Sequence, residues 1–189
     1  MGYLTYESDS SVADFAVSKQ EYLTSRPEVS FGYIATSSLV FDTKVTSEHR
    51  ILLLQRAETD DDAGKWEPPG GACDDWDKTI LGAAARELRE EASLDAKWIG
   101  GPVDKPHFFT LDDGKRVCQF NFLVCVDMSN QAVKLSPDEH QRFVWATEDE
   151  VKSGKVGDIN IKFTRDEVQR TVLVAFRHAR NTRMVLEHF

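Results

Sequence analysis

The run Pro68-Pro69-Gly70-Gly71 limits the fold of this chain more than any other stretch. Adjacent prolines remove backbone donors and paired glycines favour turns, so the segment is expected outside regular structure, bent and close to something else. From Thr79 the pattern becomes helical. Ile80, Ala84 and Leu88 fall on one side, Arg86, Glu87, Glu90 and Glu91 largely elsewhere, and the helix should stop near Ser93.

On either side the residues read mainly as strands. Val29 to Phe41 is rich in β-branched and aromatic residues and Arg50 to Arg56 carries Ile51-Leu52-Leu53-Leu54, so the two read as a strand pair joined by a polar connection over 42–49. Glu58 to Lys65 is an acidic loop. Further strand-like segments run from Ala96 to Gly100, His107 to Leu111, Val117 to Val126 and Phe143 to Ala146, with Asp112-Asp113-Gly114 marking a hairpin tip. Capping boxes are expected at Thr147 to Glu150 and Thr164 to Glu167, the second opening a helix through Val168, Leu173, Val174 and Phe176. With one helix in mid-chain and one at its end, the expected class is α+β or α/β, a sandwich around a mixed β-sheet. Residues 1–28 read as an arm or short helix, and 29–189 as a single domain, since 189 residues supply one core but not two.

A formal net charge of −9 and a pI near 5.0 leave little basic charge to release counterions from a nucleic-acid backbone, so duplex DNA or RNA is not an expected partner. Cys73, Cys118 and Cys125 show no C-x-x-C spacing and are odd in number, which argues against a disulfide scaffold or structural zinc; Cys118 and Cys125 read as core. Neither a signal-peptide pattern nor a long apolar run is visible, so a cytoplasmic protein with no membrane partner is expected. His107 and His140 are isolated in sequence and read as structural or exposed rather than as ligands.

Chemistry concentrates on the central helix. Residues three and four apart share a face, so Glu87, Glu90 and Glu91 project together and would repel one another. A hard divalent cation removes that repulsion, because Mg²⁺ prefers oxygen ligands, retains waters and bridges to phosphates. Arg86 can pair with Glu90 one turn on and orient it. Such a cluster suits diphosphate hydrolysis, in which metal neutralises charge on phosphoryl oxygens, acidifies water, and a further carboxylate takes the proton. An acidic, salt-bridged helix face with no ligand gives the same local pattern.

The larger segment resembles the box of the Nudix family: Gly, five residues, Glu, seven residues, then Arg-Glu-apolar-x-Glu-Glu-x-Gly-apolar. Trp66-Glu67-Pro68-Pro69-Gly70-Gly71 is similar to its lead-in, and Thr79 to Leu94 to its helix and exit. Counting from Gly71 places Asp77 at the first acidic position, whereas counting back from Arg86 places Lys78 there. The loop thus holds one extra residue, with Asp77 the better stand-in, and Ser93 occupies the position of the exit glycine. Pro137-Asp138-Glu139-His140 leading to Val144-Trp145-Ala146-Thr147 resembles Nudix proteins of filamentous fungi.

The resemblance implies a Nudix-type pyrophosphohydrolase, dependent on Mg²⁺ with Mn²⁺ as substitute, that cleaves a diphosphate bond in a nucleoside diphosphate derivative by metal-activated water. It implies metal held by Glu87, Glu90 and Glu91 with the carbonyl of Gly71, and catalysis by Glu90, Glu91 and Arg86, with Glu139 as a later-loop carboxylate that could return to the metal. Arg56 and Lys65 flank the acidic loop and could meet phosphate; Trp66 could stack on a base or simply pack. The expected partner is a small diphosphate compound, on a monomer or a homodimer. Two alternatives stay open: a catalytically weak Nudix-fold module that binds a diphosphate ligand, and an enzyme adapted to a non-nucleotide metabolite such as a prenyl diphosphate.

Overall fold

A computed structural model describes residues 5–42, 48–128 and 131–181. The chain opens with a two-residue strand β1 (Glu7–Ser8), a 3₁₀ turn (Ser10–Phe15) and helix α1 (Lys19–Thr24), the last closed by a reciprocal cap between Ser18 and Glu21. Strands β2 (Tyr33–Val40), β3 (Arg50–Arg56), β4 (Trp66–Glu67) and β5 (Gly70–Ala72) lead to helix α2 (Ile80–Ala92). After it come β6 (Ala96–Gly100), β7 (His107–Thr110), β8 (Arg116–Val126), β9 (His140–Thr147), helix α3 (Glu148–Ser153), the small β10 (Lys155–Val156) and β11 (Ile159–Asn160), and helix α4 (Asp166–Asn181). This is the expected mixed α/β sandwich. Among the described residues no helix is long and apolar enough to cross a membrane.

One sheet runs β1-β6-β8-β2-β5, with β7 also on β8, and a smaller one runs β4-β3-β9. Its centre is the parallel pair β2 and β8, in register from Tyr33 opposite Val117 to Val40 opposite Val124. Strands β2 and β3 are therefore not partners: β2 pairs with β5 and β8, β3 with β4 and β9, and among the described residues only a bridge between Phe41 and Ile51 joins them. Local pattern misleads here because both strands are apolar on both faces, and such runs do not say which sheet a strand enters. Of the connection expected at 42–49, residues 43–47 lie outside the described residues.

Alternation along the strands sorts the core into two layers. Ile34, Val40, Leu52, Leu54, Phe120, Phe122 and Val124 pack with Ile80, Ala84 and Leu88 of α2. Leu39, Ile51, Leu53, Leu123, Cys125 and Val144 pack with Val172, Ala175 and Phe176 of α4. Both sheets thus send one face toward each helix. The first layer also takes in Val12, Phe15 and Tyr22; the Phe15 ring meets Phe120 and Phe122, and the Tyr22 ring meets Phe120, in tilted or edge-on contacts, so the segment before residue 29 contributes to the core.

Helix α2 starts where Thr79 Oγ1 accepts from the Gly82 N–H at 2.9 Å and ends at Ser93, which takes the left-handed conformation with φ 56°. Thr147 and Glu150 cap α3 reciprocally, whereas α4 opens at Asp166, after the Thr164 N–H has donated to the Trp66 carbonyl at 3.1 Å. The Asp112-Asp113-Gly114 tip joins β7 to β8, with Gly114 at φ 82°.

Contrary to expectation, Gly70 and Gly71 do form regular structure: they pair with Ser37 and Thr36 as strand β5. The prolines stay outside the ladder, and the Pro69 carbonyl accepts from Ser38 N–H at 2.7 Å. Glycine is needed for space, since a Cβ on Gly70 would lie 2.2 Å from the Thr36 carbonyl oxygen and 2.8 Å from the Ser37 Cα. Gly70→Ala is expected to destabilise the fold by about 1–3 kcal/mol in denaturant titration, against under about 0.5 kcal/mol for Gly32→Ala, where the new Cβ meets nothing within 4 Å. Equal stability of the two variants would show that β5 does not press on β2.

Candidate active site

The helix α2 that follows β5 carries Arg86, whose guanidinium gathers the acids around it. Nε and Nη2 bind the two Asp77 oxygens at 3.0 and 2.9 Å, Nη1 donates to Glu87 Oε1 and Glu90 Oε2 at 2.8 Å each, and Nη2 also reaches the Ala72 carbonyl at 2.9 Å. Burial matters here, because a half-shielded guanidinium among carboxylates interacts far more strongly than an exposed pair. Glu90 remains at the surface.

Glu91 points elsewhere. It is 7% exposed, and its Oε2 accepts the Gly70 N–H at 2.8 Å. Burial, opposed by that hydrogen bond and reinforced by the charges of Glu87, Glu67 and Glu139, raises its pKa well above the ordinary 4.5. Glu87 is raised as well, first by burial and against the pull of Arg86. Its carboxylate lies over Gly71, where a Cβ would sit 2.7 Å from it. The two glycines thus let one strand press on β2 and admit a carboxylate on its other side.

A later loop closes over Glu91. The Lys134 and Ser136 N–H groups donate to the Ala92 and Glu91 carbonyls at 3.0 and 3.2 Å, and Ser93 Oγ donates to the Lys134 carbonyl at 3.0 Å. The turn that follows returns the Glu139 and His140 N–H groups to the Ser136 carbonyl. Ligand atoms of Glu91, Glu139 and His140 then all lie within 4.8 Å of one another. Glu139 is exposed, whereas His140 is 3% exposed with neither ring nitrogen hydrogen-bonded. Burial and the neighbouring Arg56 pull its pKa down to about 4, so the ring is neutral near pH 7.

The model of the NUDIX domain matches residues 34–166, which is well over half of the chain. The chain belongs to the Nudix family. Among solved structures it is similar to a MutT protein from Methanosarcina mazei Go1, at 26% identity and TM-score 0.55 over 78% of this chain and 94% of that one. It also resembles a C. elegans Ap4A hydrolase (21%, TM-score 0.57, 79% and 98%) and the Nudix domain of Shewanella oneidensis NrtR, solved with ADP ribose (17%, TM-score 0.60, 86% and 99%). These last two speak to the fold alone. No curated protein matches the chain. As a Nudix enzyme it is a pyrophosphohydrolase.

Within the Nudix box the extra loop residue is absorbed by a closed turn. Asp77 accepts from the Asp74 N–H at 2.8 Å, its own N–H returns to the Asp74 carbonyl, and its carboxylate meets Arg86; Asp77 is thus the acid the geometry brings to the arginine. The N-terminal segment braces that turn: Lys19 Nζ donates to the Cys73 carbonyl at 2.8 Å, Gln20 Nε2 to Asp75 at 2.7 Å, and the Val17 carbonyl accepts from Ile80 N–H at 3.0 Å.

The expected substrate residues fare differently. Trp66 is 0% exposed, packed with Phe163 and Val168 in the α4 layer, so its indole is core and offers no face to a base. Arg56 is paired with Asp60 and Glu67, and Lys65 with Asp62 at 2.5 Å, so both cations near the acidic loop are already neutralised by it. His107 bonds Thr171 Oγ1 at 2.8 Å and ties β7 to α4, a structural role. His140 is the residue that sequence reading passed over. Its position next to Glu139 was the available signal, but a register irregularity opposite Gln55 and Arg56, invisible in the sequence, is what accompanies its placement beside Glu91.

In the metal-free protein the folded Glu91 carboxyl keeps its proton to higher pH than the unfolded one. Below pH 4.5 both states carry the proton and the group is neutral in effect; as pH rises through the folded value, the buried charge forms and stability is lost. Glu91→Gln keeps an acceptor for Gly70 and should therefore raise the denaturation midpoint of EDTA-treated protein at pH 8. The gain should vanish toward the unperturbed value of 4.5. Parallel denaturant titrations at both pH values measure it, and a loss at pH 8 would contradict a buried carboxylate.

Proposed function

We propose that this protein hydrolyses a diphosphate bond in a small nucleoside diphosphate derivative with the help of Mg²⁺, for which Mn²⁺ can substitute. The observation that carries the reading is the buried Glu91 carboxylate, pinned by Gly70 and facing Glu87, Glu67 and Glu139, a set of like charges that a cation would relieve. The donors fit such an ion: oxygen-rich, partly buried and open on the Glu139 side. Glu91 and Glu87 would hold it, with Glu90 and the Gly71 carbonyl completing the set. A divalent ion there supplies neutralisation of the phosphoryl oxygens and acidification of water.

The remaining steps belong to the chain's own groups. Glu139, exposed at the mouth and close to Glu91, would accept a proton from the attacking water through a carboxylate oxygen not committed to the cation. Arg86 fixes Glu87 and Glu90 in their rotamers, so little reorganisation remains when substrate arrives. Arg56 and Lys65 are already paired with acids, which favours a substrate that arrives as a metal complex with a single diphosphate over one that needs these two cations free.

Phosphate release across nucleotide sugars, dinucleotides, ADP-ribose, oxidised nucleotides, prenyl diphosphates and inositol pyrophosphates, with and without Mg²⁺, identifies the substrate. On the best of them Glu90→Gln and Glu91→Gln are each expected to lower turnover by about a hundredfold or more with circular dichroism unchanged. Full Mg²⁺-dependent turnover in both variants would overturn the assignment, and a best substrate without a nucleoside would overturn its nucleotide part.

A further inference from the structure

We propose that Glu91, Glu139 and His140 form a mixed nitrogen–oxygen cation site that selects Mn²⁺ and related transition ions over Mg²⁺, with His140 a direct ligand. The inference rests on the reading that this helix holds a divalent cation, and it adds to that reading the identity of the metal and of a ligand outside the acidic box.

The argument starts from the imidazole. A buried ring normally has at least one nitrogen hydrogen-bonded, because desolvating it without a partner is unfavourable. His140 is 3% exposed, yet Nδ1 and Nε2 both lack a partner. The residue is not adrift, since its backbone N–H donates to the Ser136 carbonyl at 2.9 Å and its strand pairs with β3 at Arg56. A ring nitrogen lies within 4.8 Å of both a Glu91 and a Glu139 oxygen and is hydrogen-bonded to neither, a spacing near the span of donors around one ion. At metal–ligand bonds of about 2.1 Å, opposed donors are about 4.2 Å apart, so the three groups need only draw in slightly.

The donor set then decides the metal. Mg²⁺ favours oxygen ligands and sheds water reluctantly. Imidazole together with carboxylates suits Mn²⁺, Fe²⁺, Co²⁺ or Zn²⁺ better, in increasing preference for the nitrogen. The Glu91 carboxylate is oriented by Gly70 before any ion enters, and the turn on Ser136 fixes the backbone from which Glu139 and His140 project.

Equilibrium titration of EDTA-treated full-length protein with MnCl₂ and MgCl₂, and electron spin-echo modulation of the Mn²⁺-loaded form, test this. Wild type is expected to bind Mn²⁺ at least about tenfold more tightly than Mg²⁺ and to show ¹⁴N coupling from a directly bonded imidazole; His140→Leu should lose the coupling and about tenfold or more of the Mn²⁺ affinity, with little change for Mg²⁺. Bound Mn²⁺ without ¹⁴N coupling in wild type would overturn the inference, would leave the proposed function standing, and would assign the gap to water. Failure of both ions to bind would overturn both. The wild-type spectrum decides the ligand whether or not His140→Leu folds.

Discussion

The guanidinium of Arg86 is the cation about which the acidic half of this molecule is arranged. It bonds Asp77, Glu87, Glu90 and the Ala72 carbonyl, and thereby joins the loop after β5 to the exposed and buried faces of α2. A helix with Glu87, Glu90 and Glu91 on adjoining positions would otherwise be strained by its own charge. The arginine pairs with two of them and leaves Glu91, which it does not touch, to face the later loop. A single side chain therefore divides the box into carboxylates that it orients and one that faces the later loop without it.

That division depends on close packing behind it. Gly70 presses on the β2 backbone while donating to Glu91, and Gly71 makes room for Glu87, so the two glycines convert strand pairing into carboxylate placement. Lys19, Gln20 and Val17 hold the loop and the start of α2 from the other side, through a segment whose Phe15 and Tyr22 are anchored in the core. Functional geometry at the box is thus continuous with the apolar packing of α2 against β2. The three cysteines take part only as packing: burial pushes Cys73 up to about 11 and Cys118 and Cys125 to about 12, which leaves them as unreactive thiols.

Much of this was legible without coordinates, for reasons that can be traced to particular residues. The helical period from Ile80 to Ala92, the stop at Ser93, and the span of β3 from Arg50 to Arg56 follow from local side-chain spacing and turn chemistry. Counting from Gly71 reaches Asp77, the acid that the structure brings to Arg86, and the closed turn from Asp74 shows how the extra residue is accommodated. Where reading failed, the deciding contact was remote. Trp66 beside a Pro-Gly turn looked available to a base, but residues nearly a hundred positions later bury it. The strands β2 and β3 looked like a hairpin because each is apolar on both faces, a property that records burial but not partner.

By itself the sequence determined the acidic helix, its glycine-rich approach and the family these imply, since each is written in residues close enough along the chain to interact through a single turn. Only the tertiary structure decided which carboxylates are spent on Arg86, that Arg56 and Lys65 are already paired, and that His140 comes to lie beside Glu91 with both ring nitrogens unpartnered. Those outcomes hang on a loop returning over α2 and on an irregular register between β3 and β9, contacts across long stretches of chain for which no local spacing leaves a mark.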